Sequence, residues 1–187
     1  MIPLSMNQPT LQTARLRLRP YCLADAEDLM RLAGHREVAA TTLRIPHPYR
    51  QQDALDFIAC CEGESGKIPR FAIALRESGQ LCGGIGLHID AAPNEHNAEL
   101  GYWLGVPYWG QGYATEAARA VLRYGFQTLG LHRIYATHFA HNSASGRVLQ
   151  KIGMRYEGRS RENVHKWGKF YDSELYAILA SDPVPEP

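Results

Sequence analysis

The stretch Trp109-Gly110-Gln111-Gly112-Tyr113-Ala114-Thr115 holds the residues best suited to chemistry on a charged ligand. It lies between an apolar and aromatic run, Glu99 to Val106, and a run of small residues at helical spacing. Amides at the start of a helix have no intrahelical acceptor, point outward and stand at the positive end of the helix dipole. Gly110 and Gly112 let that backbone approach a ligand with no Cβ between them. The turn is a candidate anion site; it equally fits a plain helix start whose glycines serve tight packing. Two phosphate-binding patterns fail. A Walker loop closes on Gly-Lys-Ser/Thr, whereas Tyr113 follows Gly112 here. A dinucleotide turn asks for a third glycine where Thr115 stands, and for an acid at the end of the next strand, which ends in His138-Phe139.

A third phosphate-bearing ligand, coenzyme A, enters through a resemblance. The segment Leu104-Gly105-Val106-Pro107-Tyr108-Trp109-Gly110-Gln111-Gly112-Tyr113-Ala114-Thr115-Glu116-Ala117 resembles the pyrophosphate motif of the GNAT superfamily of N-acetyltransferases, Q/R-x-x-G-x-G/A. Gly112 and Ala114 match the small positions, and Trp109 replaces the Gln/Arg. A second block, Asn142 through Ser145 to Lys151-Ile152-Gly153-Met154, is similar to the family's next motif. Leu16-Arg17-Leu18-Arg19-Pro20 and Pro46-His47-Pro48-Tyr49 resemble, more narrowly, the branch that acetylates ribosomal-protein N-termini.

The resemblance implies an α+β (mixed α/β) fold with a central, mostly antiparallel twisted sheet, splayed at its centre and flanked by helices. It implies acetyl-CoA as cosubstrate, with no metal. The pantetheine arm would lie in the splay, which Gly105-Val106-Pro107 suits, with Leu104 and Val106 offering backbone groups to it. The backbone of Gly110, Gln111, Gly112, Tyr113, Ala114 and Thr115 would cradle the pyrophosphate. Asn142 would reach the pantetheine while also capping a helix, and Ser145 would stand beside the cofactor's sulfur.

Direct acetyl transfer from a thioester needs a neutral amine, alignment against the carbonyl, a donor for the oxyanion and a proton for the departing thiolate. A protein α-amine has a reference pKa of about 7.7–8.0, against about 10.4 for lysine, so an N-terminal amine needs only a modest base. Glu99, at the start of the strand whose far end holds the cofactor, is the first candidate base, and also reads as a solvated strand-end acid. Glu162 is a second candidate, in a loop that the resemblance places on the acceptor side. Many family members carry an acidic tyrosine on the helix after the asparagine. Leu149 occupies that place here, so Ser145, one turn earlier, becomes the candidate to donate to the thiolate or to organise a water, and also reads as a capping or surface hydroxyl. Tyr171 is a further candidate, and equally a packed aromatic. Arg155, Arg159, Arg161, His165, Lys166 and Lys169 form a basic stretch, read either as a solvated face or as a loop that recognises the acceptor. His138 reads as a core histidine.

These residues must be positioned by a mixed set of elements. Arg15 to Arg19 alternates as a half-buried strand ended by Pro20, and Asp25 opens a helix. A second helix follows the break at Pro46 to Tyr49 and carries Ala54, Leu55, Phe57 and Ile58. Phe71 to Leu75 and Leu81 to Ile89 form a hairpin about Glu77-Ser78-Gly79-Gln80. After the strand from Glu99, the helix face Ala114, Ala117, Ala118, Val121, Leu122 and Gly125 ends at Gly130. Arg133 to Phe139 is a strand, and Asn142-Ser143 caps a helix that Gly153 closes. Two strands remain, near Met154 to Arg161 and Asp172 to Leu179, joined by a polar loop containing Trp167-Gly168-Lys169.

The 187 residues suffice for one domain, expected over residues 11–181, with a loose tail at 1–10 and a proline-rich tail at 182–187. A net charge of +1 argues against a nucleic-acid partner. Cys22, Cys60, Cys61 and Cys82 have no metal-ligand spacing. With no secretory signal pattern and no apolar run of about 20 residues, a cytoplasmic protein without a membrane partner is expected, as monomer or homodimer. The leading function is acetyl transfer to an amine acceptor, above all a protein N-terminus. The alternatives are a small-molecule amine or antibiotic acetyltransferase, and a noncatalytic acyl-CoA-binding sensor.

Overall fold

A computed structural model of the chain describes residues 8–63 and 68–185. A short strand, β1 (Leu11–Gln12), precedes β2 (Leu16–Arg19), whose alternation buries Leu16 and Leu18 completely. Behind Pro20, the Asp25 carboxylate takes two hydrogen bonds from the Arg19 guanidinium, at 2.7 and 2.6 Å, and one from the Cys22 amide at 2.9 Å. Burial would raise the Asp25 pKa, but these bonds outweigh it and hold the carboxyl below its ordinary value. The pair ties β2 to α1 (Ala26–Ala33), which the sequence placed correctly. A six-residue helix, α2 (Arg36–Thr41), follows and was not foreseen: it buries only Val38 and Ala39, too little to show a helical period. The helix expected after Pro46 to Tyr49 is α3 (Gln51–Gly63).

The expected hairpin is β3 (Arg70–Leu75) and β4 (Leu81–Ile89). Then come β5 (Asn97–Leu104), a 3-10 turn over Val106–Tyr108, and α4 (Tyr113–Arg123), which runs into one π-helical stretch, Tyr124–Thr128. The small-residue face of α4 is real: Ala117, Ala118, Val121 and Leu122 are fully buried on the sheet. Gly130, at φ 66°, lets the chain turn back. Strand β6 (Arg133–Phe139) and α5 (Ser143–Lys151) follow. The last two strands, β7 (Arg155–Lys166) and β8 (Lys169–Leu179), are longer than the sequence suggested. Trp167 and Gly168 are not a loop but a tight reversal, at φ 52° and 76°, with Lys166 paired to Lys169. β7 lies at the sheet edge with most side chains in solvent, so it carries no apolar alternation to read.

Among the described residues the strands form one sheet in the order β1-β2-β3-β4-β5-β6-β8-β7, with β5–β6 the one parallel pair and every other pair antiparallel. That parallel pair is short. It joins Asn97, Ala98 and Glu99 to Arg133, Ile134 and Tyr135, and beyond it the two strands separate while each stays paired to its outer neighbour. The sheet is thus split at its centre. The split opens directly after Glu99, well ahead of Gly105-Val106-Pro107, where the sequence had placed it. Alternation along β5 sends Leu100, Tyr102 and Leu104 to the face covered by α4 and α5, and Glu99 and Trp103 to the face covered by α1 and α3.

Candidate active site

The glycine turn is built by local bonds before any ligand is considered. Trp109 Nε1 donates to the Leu104 carbonyl at 2.8 Å, folding the turn back on the end of β5. The Gln111 side chain donates to the Pro107 carbonyl at 2.8 Å, and the Gln111 carbonyl accepts from Arg15 Nη1 at 3.0 Å. Gly110 and Gly112 have φ of 74° and 81°, which a residue with a Cβ rarely adopts, and Gly112 is the N-cap of α4. The first intrahelical bond runs from Glu116 N to Gly112 O, so the amides of Tyr113, Ala114 and Thr115 precede it, without intrahelical acceptors. A Cβ built on Gly110 would meet nothing within 4 Å, so the backbone there faces open space. The Glu116 carboxylate anchors this end of α4, accepting from Thr13 Oγ1 at 2.6 Å and from Arg15 N and Nε at 2.8 and 2.7 Å.

A cleft of about 560 Å³ leads from this turn through the split in the sheet. Of the residues expected to hold a cofactor, Leu104, Gly110, Ala114, Asn142 and Ser145 line it. Gln111, Gly112, Tyr113 and Thr115 belong to the same turn and first helical turn but stand outside the lining, as does Val106. Val106 has left the strand: its carbonyl accepts from Trp109 N at 3.2 Å, inside the 3-10 turn. The Gly105 amide donates to the Cys82 carbonyl at 2.9 Å. By the alternation of an antiparallel ladder, Tyr102 and Leu104 therefore turn their backbone groups away from β4, towards the gap that β6 has left. Asn142 is the N-cap of α5, its Oδ1 accepting from Ser145 N at 3.2 Å, so its capping role is realised.

Beside Ser145 stands a residue the sequence reading passed over. The Tyr102 hydroxyl shares a 2.7 Å hydrogen bond with Ser145 Oγ and lies 3.2 Å from the Ser145 carbonyl. Burial pushes the phenol up to about 12, so it stays protonated. The alternation Leu100-Gly101-Tyr102-Trp103-Leu104 already put Tyr102 on the α5 face, but nothing local said which side chain it would meet there. Leu149, at the place where the family resemblance expects a tyrosine, is fully buried in the core.

On the opposite face, Glu99 also lines the cleft. Its Oε1 accepts from Thr137 Oγ1 at 3.0 Å, and its Oε2 lies 3.5 Å from Arg44 Nη2. Arg44 comes from the segment between α2 and α3 and also reaches the His88 ring, at 3.1 and 3.2 Å from its two nitrogens. Glu99 is therefore held among partners, not left as a solvated strand end. The same wall carries Tyr21, Phe57 and Trp103, and a second cavity of about 240 Å³ adjoins it, lined by Tyr49, Asp53, Asp56, Phe57 and Trp103.

The basic stretch of β7 and β8 is largely spoken for. Arg159 pairs with Asp172 at 2.6 Å, Arg155 with Asp182 at 2.9 Å, and His165 packs on Phe170. Lys166 is turned inward: its ammonium donates to the carbonyls of Ala39, at 2.6 Å, Thr42 and Ile45. Burial lowers its pKa. These carbonyls close α2 and begin the segment holding Arg44, so Lys166 fastens one wall of the cleft instead of meeting an acceptor as a free charge. Glu162 lies in a β7 irregularity at φ 50°, its amide bonded to Asp172, and it does not line the cleft. Tyr171 packs edge-on against Phe139. His138 is buried under α5 with Nδ1 donating to the Phe139 carbonyl at 2.8 Å and Nε2 at 3.5 Å from Glu174. Among the described residues no cluster of His, Cys, Asp and Glu is arranged to hold a metal ion, and no helix is long and apolar enough to cross a membrane.

A split mixed sheet, a glycine turn at a helix start and a cleft joining two faces are the features that the GNAT resemblance implied, and the comparisons show the family itself. Residues 15–155 match the family described as acetyltransferase (GNAT) domain. The uncharacterized N-acetyltransferase YoaA of Bacillus subtilis is 34% identical over 174 residues, 91% of this chain and 97% of that one. The ribosomal protein uS5-alanine N-acetyltransferase of Escherichia coli is 34% identical over 90 residues, 48% of this chain and 46% of that one. The solved structure of Mycobacterium smegmatis RimJ in complex with CoA-disulfide superposes with a TM-score of 0.83 at 25% identity, covering 92% of this chain and 88% of that one. The chain belongs to the GNAT family and is an N-acetyltransferase. The family takes its acetyl group from acetyl-CoA.

Proposed function

We propose that this enzyme transfers acetyl from acetyl-CoA directly to the α-amine of a protein or peptide N-terminus. The observation that carries the reading is the placing of Glu99 and Ser145 on opposite faces of the sheet, both lining one cleft that passes through its split. A thioester laid in the split would present its carbonyl to an amine from the α1–α3 face and its sulfur to Ser145 on the α5 face. The residues fit acetyl-CoA: the open space at Gly110 and the free amides of Tyr113, Ala114 and Thr115 suit a pyrophosphate, and β5 backbone groups facing the gap suit a pantetheine amide.

In this reading the amine nitrogen bonds to the thioester carbon and the carbon–sulfur bond breaks. Glu99, directly or through one water, takes the amine's proton, and Ser145 Oγ donates a hydrogen bond to the leaving sulfur. Glu99 is a base already engaged by Arg44 and Thr137, which suits an α-amine, appreciably neutral near pH 7, better than a lysine. The Escherichia coli relative that acetylates an alanine of a ribosomal protein supports the same acceptor class. A specific feature favours a second reading, a small cationic amine: Asp53 and Asp56 are among the residues that line the aromatic side cavity beside the cleft, where two carboxylates stand with one cation, Arg44.

A panel of short peptides with free N-termini, polyamines and aminoglycosides, each assayed by release of the coenzyme A thiol, separates the two. The peptides should exceed the small amines in kcat/KM by at least about tenfold. A polyamine or aminoglycoside leading the panel would replace the first reading with the second.

A further inference from the structure

The Tyr102–Ser145 contact has a consequence for the leaving group, resting on the reading of Ser145 as its hydrogen-bond donor. The two hydroxyls are 2.7 Å apart. A phenol is a stronger donor than an aliphatic alcohol, and this one has a choice of two acceptors, Ser145 Oγ and the Ser145 carbonyl at 3.2 Å. The shorter contact to Oγ is the better bond. When Tyr102 donates to Oγ, the serine's own proton is free to point into the cleft. When it donates to the carbonyl, the serine proton is drawn onto the phenol oxygen and none is left for sulfur. The orientation of one proton on Ser145 is thus set from the neighbouring strand. The serine itself is held on the other side, where Asn142 Oδ1 accepts from its amide.

We propose that Tyr102 is a positioning residue for thiolate departure: by donating to Ser145 Oγ it aims the serine hydroxyl at the coenzyme A sulfur. The phenol arrives from β5, at the start of α5, whereas Leu149 farther along α5 contributes only to the core. No proton leaves the tyrosine. The thiolate gains a directed hydrogen bond, and its eventual proton comes from the amine by way of solvent. Because Tyr102 acts on the cofactor side, its removal should leave the amine's own binding unaltered.

The test titrates the thiol of coenzyme A bound to the wild-type protein, Tyr102→Phe, Ser145→Ala and the double variant, by thiolate ultraviolet absorbance across pH. A directed donor stabilises thiolate, so the bound thiol should ionise at lower pH in the wild type than in any variant. The double variant should match Ser145→Ala, because Tyr102 acts only through the serine. Coenzyme A affinity by calorimetry should agree within about threefold across the set, and circular dichroism should show each variant folded. With any acceptor that the wild type acetylates, Tyr102→Phe should lower kcat by roughly tenfold at constant acceptor KM. Identical thiol titrations in wild type and Tyr102→Phe, or additive shifts in the double variant, would overturn the proposal. Absence of turnover on every amine would instead defeat the assigned reaction, and the thiol titration would still decide the role of Tyr102.

Discussion

On the face covered by α4 and α5 the site is made mostly of backbone, drawn from two continuous stretches: β5 into the glycine turn, and the cap of α5. On the face covered by α1 and α3 it is made of side chains from separated segments: Tyr21 after β2, Arg44 before α3, His88 on β4, Glu99 on β5, Thr137 on β6, with Lys166 fastening the wall from β7. The difference follows from what each side is proposed to bind. A pyrophosphate and a pantetheine amide are recognised by amides and carbonyls, which every residue carries, so the demand on sequence is for glycines and a helix start. An acceptor is recognised by shape and by a few side-chain groups, and these can come from anywhere in the chain that the fold brings near.

The largest effect that would break this comparison comes from Gly112→Val. A β-branched residue at φ 81° is strained by about 1–2 kcal/mol and would displace the first amides of α4. Loss of about two hydrogen bonds to an anion should weaken acetyl-CoA roughly 100-fold by calorimetry, with circular dichroism unchanged. An affinity within threefold of wild type would show that this turn is only a helix start.

Glu99→Gln should act on the other side alone. The expected result is a kcat lower by roughly 100-fold with acetyl-CoA affinity intact. The deficit should shrink, without vanishing, as the assay pH rises past the pKa of the acceptor amine: solvent then deprotonates the ammonium, and Glu99 is needed only for the proton lost as nitrogen bonds to carbon. A deficit constant with pH would make Glu99 a structural partner of Arg44 and Thr137. The smallest expected effect is that of Lys166→Met, which keeps the stem and removes the ammonium from the carbonyls of Ala39, Thr42 and Ile45. The acceptor KM should rise by roughly fivefold as the segment carrying Arg44 loosens, again without change in acetyl-CoA affinity. If both substrates weaken equally, the two faces are not independent.

Much of the fold was legible because its signals are local. Leu16 and Leu18 alternate, Ala117, Ala118, Val121 and Leu122 recur at helical spacing, and Gly79, Gly130 and Gly153 mark reversals at positive φ. What escaped was weakly patterned. α2 is short, and β7 is an edge strand whose first half was read as a strand while its polar residues after Arg161 read as a loop. The split in the sheet was expected, but its place was not. It depends on how far β6 runs beside β5 before the two diverge, and pairing between distant segments leaves no mark on either one alone.

The sequence by itself determined the side proposed for the cofactor: Gly110, Gly112 and the small residues of α4 are neighbours in the chain, Asn142 caps its own helix, and their conformations follow from their own backbone preferences. Only the tertiary structure decided which side chains meet on either side of the split. It set Tyr102 against Ser145 and Glu99 between Thr137 and Arg44, and it turned Lys166 inward. Each of these contacts joins residues far apart in sequence. They form because the sheet fixes which strands are neighbours and which face each side chain takes, and no local propensity encodes that.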